Sequence, residues 1–553
     1  MQMNNLAELL YQWRNQPQKI LYRQYQEGAW RDHNADSLLH LVGRWQAAYR
    51  NAGLQAGDRV ALCMKNGIYW VAADLAALAS GLVVVPLYAD DNAENQAWCI
   101  ENSGAKLLVA DHLRFLSHFQ SHLGHLPTIV LVRGEAVTPV VALDAWLPED
   151  GPLTIIEQPG ETLATIVYTS GTMGRPKGVM LSHANILANL EGILDAYEVY
   201  ENDSLLSVLP LSHMFERTGG YYLPLKAGAV VTYCRGINEL ASDLVEQQPT
   251  IVMAVPRLFE RMLARIEERI KSSPLKRWLF FSAARAGWRR FRGEVRWHDG
   301  LVLHSFYPLI AKPLAARLGG RIRKAVMGGA ALDQRVAQTF IGLGVPLLQG
   351  YGLTEAAPVV AVNREDNNDP ASVGEPLPNV ECRLSEQSEL LVRGPNVMLG
   401  YWDNDEATQK IIDAEGWLNT GDVVEIREKR IYIRGRSKNI LVLSNGEKIA
   451  PEDIEAAVAR DAAFDQVMVA GEGRPYLVLL AVSREGDEQA LLRRVNAQMR
   501  HLPRYARIRR VIRLDEPWSV ENGLLTPTLK IRRAAILDRY REKIEAVYAE
   551  PKV

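Results

Sequence analysis

The sequence predicts an α/β protein: a large N-terminal domain of parallel-rich sheets with flanking helices plus a β-ribbon subdomain, then a small α+β C-terminal domain. Three observations predict it. At 553 residues the chain is too long for one hydrophobic core, so two or more domains are the default. Through its first three quarters, short apolar runs alternate with helix-length amphipathic segments, the rhythm of strands joined by crossover helices. After about residue 380 that rhythm gives way to ribbon-like segments and a compact mixed tail.

In chain order, Arg59–Met64 reads as a strand, followed by a helix near Tyr69–Ala79 and a strand at Val83–Leu87. Strand Ala164–Tyr168 precedes a helix at His183–Tyr197, with Ser182 placed to cap it. Strand Leu205–Leu209, a helix to about Lys226 and strand Ala229–Tyr233 repeat the pattern. Thr250–Ala254 then leads into a long helix from Pro256, and strand Lys324–Met327 into helix Asp333–Leu343. Beyond 380, LLVRG and VVEIREKRIYIRGR read as antiparallel ribbons. A boundary near 436 divides the chain into residues 1–436 and 437–553.

Composition bounds the function. With 48% hydrophobic and 23% charged residues the chain is neither disordered nor fibrous. A net charge of -2 gives no global pull toward nucleic acid or a membrane. Cys63, Cys99, Cys234 and Cys382 lie far apart without zinc spacing and read as reduced core thiols of a cytoplasmic protein. The segment MQMNNLAELLYQW lacks a basic stretch followed by an apolar one, so no signal peptide is expected. Residues 70–89 approach a membrane span in length, but Asp74, Ser80, Gly81 and Pro86 interrupt them. A buried helix running into a buried strand fits better, and no transmembrane segment is expected.

Three motifs carry chemistry. Between a strand and a helix lies Tyr168-Thr-Ser-Gly-Thr-Met-Gly-Arg-Pro-Lys-Gly178, rich in glycine and small hydroxyls. Its exposed N–H groups and Lys177 suit phosphate oxygens, although neither the Walker A nor the GxGxxG pattern is met. A plain glycine turn is the competing reading. The second motif, Gln349-Gly-Tyr-Gly-Leu-Thr-Glu355, directly follows the apolar strand expected at Val345–Leu348. Its glycines permit close backbone approach, Tyr351 offers a flat face, and Glu355 a hard oxygen ligand suited to Mg2+; a solvated strand-end turn competes. The third is Asn419-Thr-Gly-Asp422, whose carboxylate suits the two hydroxyls of a ribose or the cap of a turn.

In this order the three motifs resemble the adenylate-forming (AMP-binding) superfamily of acyl-CoA synthetases, luciferases and peptide-synthetase adenylation domains. Tyr432-Ile-Arg-Gly-Arg-Ser-Lys-Asn439 with the following segment 444–455, and Gly523-Leu-Leu-Thr-Pro-Thr-Leu-Lys530, extend the likeness over roughly residues 55–535. Long-chain fatty acyl-CoA synthetases of bacterial type are most similar.

The resemblance implies that ATP, Mg2+ and CoA are used to make an acyl adenylate and then an acyl-CoA. It implies that Thr169, Ser170, Gly171, Thr172, Gly174 and Lys177 hold the β- and γ-phosphates. Tyr351, between Gly350 and Gly352, would cover one side of the adenine, with Gly328, Gly329 and Ala330 on the other. Thr354 would touch the α-phosphate, Glu355 and Thr169 would hold Mg2+, and Asp422 with Arg436 would hold the ribose. Lys530 would reach between the carboxylate and the α-phosphate. The same likeness makes the C-terminal domain a mobile lid, with Lys438 at the hinge and Gly446 presented for thioester formation. A solvated surface lysine is the competing reading of Lys438. Met173, Asn419 and Asn439 depart from the commonest pattern, which touches fine geometry rather than activity.

Leu209-Pro-Leu-Ser-His-Met-Phe-Glu-Arg217 resembles the long-chain branch, which puts His213 near the carboxylate end of an acyl tunnel; a core histidine bonded to backbone competes. Residues 261–297 hold 11 Lys/Arg against 3 Glu, with six interleaved Trp and Phe residues. That composition suits peripheral contact with an anionic lipid surface, or an amphipathic helix packed on its own domain. Nucleic acid fits less well, since no known motif accompanies the patch. A fatty acyl-AMP ligase that hands its product to a carrier protein, an aromatic-acid CoA ligase and an inactive nucleotide- or lipid-binding homologue remain as rivals. The chain is expected as a monomer or homodimer.

Overall fold

The computed structural model describes residues 3–112, 127–134, 140–169, 175–499, 506–526 and 529–549, and only the backbone of Asp453. Ser170, Gly171, Thr172 and Gly174, read above as phosphate contacts, lie outside the described residues.

Two large sheets dominate residues 1–436. The nine-stranded sheet is parallel through its centre. There Leu347–Gly352, Lys324–Met327, Ile251–Ala254, Ser204–Ser207, Val230–Tyr233 and Ile20–Gln26 lie side by side in that order. Antiparallel strands close both ends: Val359–Val362 and Glu375–Pro376 at one, Ala29–Asn34 at the other. The eight-stranded sheet is parallel from Leu163–Thr169 through Val83–Pro86 and Arg59–Cys63 outward, and ends in the antiparallel strands Lys177–Ser182 and Gly400–Tyr401. The inner strands are apolar on both faces, as parallel strands covered by helices must be. Glu381–Leu384, Glu389–Arg393, Leu418–Arg427 and Arg430–Arg436 form a four-stranded antiparallel ribbon sheet. Beyond it, Gln466–Ala470, Leu477–Val482 and Ile508–Leu514 form a small sheet with its own two apolar cores.

The apolar stretch at 70–89 is a helix, Ile68–Ala79, buried except for half-exposed Tyr69, and a buried strand, Val83–Pro86. Its one charge explains why it is not a membrane span. Asp74 is fully buried, paired with Arg217, and accepts hydrogen bonds from the hydroxyls of Tyr221 (2.9 Å) and Tyr222 (2.7 Å). No helix among the described residues is long and apolar enough to cross a membrane.

Several expectations need correction. Gln349, Gly350, Tyr351 and Gly352 do not follow a strand but belong to one, Leu347–Gly352, because Val359–Val362 returns to satisfy their backbone groups. The helix expected up to Lys226 is instead Met214–Arg217, a π-turn over Thr218–Tyr222 and Leu223–Ala227. Gly219 and Gly220 sit in that wide turn because a Cβ would meet Met253 and Glu216 at 2.5 Å each. Asp333 caps its helix, Gln334–Gly342, from outside, accepting from Arg335 and Val336 backbone N–H groups. Only Cys63 and Cys99 are core thiols; Cys234 and Cys382 are half-buried. The first 51 residues, for which no strand or helix was expected, supply a short 3-10 helix at Leu6–Trp13, strands Ile20–Gln26 and Ala29–Asn34 and helix Ala35–Asn51.

Candidate functional site

Four neighbouring parallel strands end at one edge, and each is followed by a segment singled out in the sequence. Ser204–Ser207 leads to His213, and Ile251–Ala254 to Pro256 and Arg257. Lys324–Met327 leads to Gly328, Gly329 and Ala330, while Leu347–Gly352 carries Gly350, Tyr351 and Gly352 itself. The crevice beyond the carboxyl ends of parallel strands is where α/β sheets bind ligands, since loops there are free to vary while strands hold them in place.

On one wall, the Tyr351 hydroxyl donates to Asp422 Oδ2 (2.6 Å) and Arg436 Nε donates to Asp422 Oδ1 (2.9 Å). Asp422 is not the cap of a turn. It lies within strand Leu418–Arg427 opposite Arg436, next to a register shift and just after Gly421, whose φ of +67° a side chain would strain. Burial and the Asp422 carboxylate push the Tyr351 phenol well above its ordinary value, so it remains a donor. Each carboxylate oxygen keeps a second lone pair, enough for a diol to share Asp422 with its present partners. Gly328 must lack a side chain: a Cβ there would stand 2.8–3.1 Å from the Phe215 ring. Gly329 adopts φ +80°.

On the opposite wall, Thr169 and Lys177 face one another across the hairpin of Leu163–Thr169 and Lys177–Ser182. Lys177 Nζ stands 4.9 Å from the centroid of the Tyr401 ring, and the Tyr401 hydroxyl donates to Glu355 Oε1 (2.8 Å). Thr354 and Glu355 lie in a short 3-10 turn, held where the backbone N–H of Met398 meets the Glu355 carbonyl at 2.9 Å. Glu355 Oε2 receives no hydrogen bond from the described residues, which leaves a half-buried carboxylate oxygen available to a hard cation.

The C-terminal segment closes the crevice. Thr526 Oγ1 accepts from the Lys530 backbone N–H (3.0 Å), and Leu529 adopts φ +60° to make that tight loop. Arg257 Nη1 donates to the Leu529 carbonyl (3.4 Å), tying the loop to the strand-end edge. Lys530 stands in an opening that remains wet, yet surrounding protein and the Arg436 guanidinium push its pKa down, with Asp422 opposing them. Its charge reaches His213. Burial first, and then Lys530, bring that imidazole down to about 4, so it is neutral at ordinary pH. His213 Nδ1 accepts from the Phe215 backbone N–H (3.2 Å), which makes it the cap of Met214–Arg217. His213 is therefore bonded to backbone and within electrostatic reach of Lys530. Glu216 behind it is fully buried, and burial raises its carboxyl to about 8.

Lys438 and Gly446 take part in none of the contacts described above. Lys438 is exposed in the short turn Ser437–Asn439 that leaves the ribbon sheet, and Gly446 is in a hairpin turn at φ +85° with open space where a Cβ would be. The sequence reading missed Tyr401, which joins Lys177 to Glu355. Its only local signal is an aromatic between Gly400 and Trp402, which says nothing of either partner. It also missed Phe215, which fills the space that Gly328 vacates.

This geometry is that of a crevice with cationic and hydroxyl donors on two walls and a lysine delivered from a separate domain. A profile of the AMP-binding enzyme family matches residues 9–402. The chain belongs to the AMP-binding enzyme family. The profile of the AMP-binding enzyme C-terminal domain matches residues 438–552. The long-chain-fatty-acid–CoA ligase FadD15 of Mycobacterium tuberculosis is 28% identical, covering 99% of this chain and 97% of the relative. A long-chain-fatty-acid–[acyl-carrier-protein] ligase of Arabidopsis thaliana is 27% identical over 90% of this chain and 80% of its own length. Among solved structures, an anthranilate CoA ligase in complex with anthranoyl-AMP superposes with a TM-score of 0.78 at 20% identity, covering 98% of each chain. That last likeness concerns the fold.

Proposed function

We propose that the protein activates a long-chain fatty acid with ATP to the acyl adenylate, releasing pyrophosphate, and then transfers the acyl group to CoA. The observation that carries this reading is the convergence of Lys530 with Asp422, Arg436 and His213 at the edge where four parallel strands end. Similarity over nearly the whole chain to relatives named long-chain-fatty-acid–CoA ligases supports the substrate class.

In the first step a carboxylate oxygen attacks the α-phosphorus and the bond to the β-phosphate breaks. Two anions must approach, so fixed positive charge is what the site has to supply. Lys530 is assigned to that meeting point, and Lys177, with the 170–174 segment, to the β- and γ-phosphates. Thr354 is assigned to the α-phosphate. Tyr351 and the Gly328–Ala330 segment flank the base, and Asp422 with Arg436 holds the ribose. Glu355 and Thr169 would hold Mg2+, which supplies further neutralisation of the triphosphate. Neutral His213 offers a hydrogen-bonding, uncharged neighbour to the incoming carboxylate. In the second step the CoA sulfur attacks the acyl carbon, AMP leaves, and the thiol proton passes to solvent.

Residues 437–553 are read as a lid that turns about Lys438, so that Lys530 leaves and Gly446 takes its place for thioester formation. We assign the protein to the cytoplasm with peripheral contact to the membrane surface.

The test is pyrophosphate release from Mg-ATP with acetate, octanoate, palmitate, oleate and benzoate, with and without CoA, the product identified by mass. CoA-dependent turnover on palmitate or oleate is expected. Turnover on benzoate alone, or silence on every acid, overturns the reading. The likeness to the acyl-carrier-protein ligase favours a second acceptor; palmitoyl adenylate accumulating despite CoA, and discharged by a carrier protein, would establish it.

A further inference from the structure

The helices of segment 256–317 divide the six aromatics of the sequence motif into two sets. Phe280 is buried, Phe281 and Trp288 are half-buried, and all three pack into the apolar core beneath the nine-stranded sheet. The others face water. Trp297 is 92% exposed, and with it Leu309 (73%), Leu301 (71%), Leu275 (65%) and Trp278 (56%). Seven of the 17 exposed large hydrophobic residues among the described ones fall between residues 275 and 309. Such clustering marks a surface that has a partner, because scattered exposure is the norm. The helices Pro274–Phe291, Trp297–Ser305 and Tyr307–Arg317 that bear them pack on one another, and Trp278 rests on Phe306 with ring centroids 5.8 Å apart.

Charge decides what the partner is. Arg289 and Arg292 are neutralised by Asp299 and Glu294, whereas Lys276, Arg277 and Arg285 pair with no carboxylate among the described residues. Lys271, Pro274, Arg277, Trp278, Phe281 and Arg285 line a shallow groove of about 380 Å³, suited to a phosphate above and an apolar chain below. A nucleic acid would neutralise the cations but leave Leu275, Leu301 and Leu309 in water. A second copy would set an excess of positive charge against its equal. An anionic bilayer satisfies both sets of residues, since Trp and Leu enter the headgroup–acyl boundary while Lys and Arg reach lipid phosphates. Helix Pro256–Ile270, about 22 Å long at 1.5 Å per residue, begins at the crevice beside Arg257 and ends at this groove.

We propose that this helical cluster docks on an anionic phospholipid bilayer, with Trp278, Trp297, Leu301 and Leu309 in the headgroup–acyl boundary and Lys276, Arg277 and Arg285 on lipid phosphates. The proposal rests on the fatty-acid reading for its purpose, not for the binding itself. Docking would put a source of membrane-dissolved acid within one helix length of the site.

The test is co-sedimentation of the full chain with vesicles of phosphatidylcholine alone, or of phosphatidylcholine mixed with phosphatidylglycerol. The wild type is expected to bind the mixed vesicles, less so as salt rises, and to ignore the neutral ones. Trp297→Ser/Leu301→Ser/Leu309→Ser and Arg277→Glu/Arg285→Glu should each lower the partition coefficient by about tenfold or more. Both variants should still turn over fatty acid at the wild-type rate in vesicle-free neutral detergent. No binding by the wild type, equal binding by the variants, or an altered oligomeric state with unchanged vesicle binding overturns the proposal. Vesicle binding by a wild type inactive on every acid would leave docking standing and remove only the ligase reading.

Discussion

At Lys530, the surrounding protein and the Arg436 guanidinium both favour the neutral amine, and Asp422 opposes them. A lysine needed in its charged form then limits activity on the alkaline side. The alkaline limb of kcat/KM for adenylation should fall below the ordinary lysine value of 10.5, and Arg436→Met should move it upward. Lys530→Ala should cost on the order of 10²–10³ in ATP–pyrophosphate exchange. A variant with full exchange removes Lys530 from the chemistry. Glu216 carries the opposite problem. Its folded-state value of about 8 lies above the ordinary 4.5, so the folded protein holds a proton that the unfolded chain releases between those pH values. Stability on this account is full below about 4.5 and declines as pH rises through 8. Glu216→Gln should therefore raise the melting temperature more at pH 8 than at pH 5. An equal shift at both would mean that the carboxyl is ionised in the fold.

Between elements, one coupling is polar rather than apolar. Asp74 on helix Ile68–Ala79, Thr165 on strand Leu163–Thr169, Arg217 at the end of its helix and the two tyrosines of the π-turn meet in one fully buried cluster. It fixes the segment after His213 against the strand that ends at Thr169, and so sets one wall of the crevice against the other. Removing one charge strands its partner in a low-dielectric interior. Arg217→Met alone should cost about 3–5 kcal/mol, and the double change Arg217→Met/Asp74→Asn markedly less. Urea unfolding of the four proteins of this cycle measures the coupling. Simple additivity would show that the charges do not sense each other. Helix packing elsewhere is close enough to forbid side chains: a Cβ on Gly287 would stand 1.8 Å from the Gly342 carbonyl oxygen.

For the whole molecule, polar side-chain contacts link the small domain to the large one. Arg460 of that domain pairs with Asp333 at 2.6 Å, and Arg257 reaches the Leu529 carbonyl. Arg460 is 42% exposed, so the pair is worth a fraction of a kcal/mol to about one. On the proposed lid rotation, the domain would be latched no more firmly than this. Arg460→Ala should slow adenylation by roughly two- to fivefold and leave thioester formation from supplied acyl adenylate unslowed. Equal slowing of both half-reactions would make the pair a stability contact only.

The order of elements and the chemical inventory of the site were already present in the sequence, because both depend on local pattern. Period-2 and period-3.6 apolar runs mark strands and helices wherever one face is buried. Glycines and hydroxyls mark loops able to approach a ligand, so Tyr351, Glu355 and Asp422 could be named from their motifs, while Arg436 and Lys530 came from the family resemblance. Only the tertiary structure decided who meets whom. Tyr401 on Glu355, Phe215 against Gly328, Arg217 on Asp74 and the extension of strand Leu347–Gly352 all depend on residues 46 to 143 positions apart or on a returning strand. The same holds for the aromatic segment, where one composition yields both core and surface. Periodicity cannot tell which of Phe280 and Trp297 the neighbouring helices will cover, since that is settled by packing between distant parts of the chain.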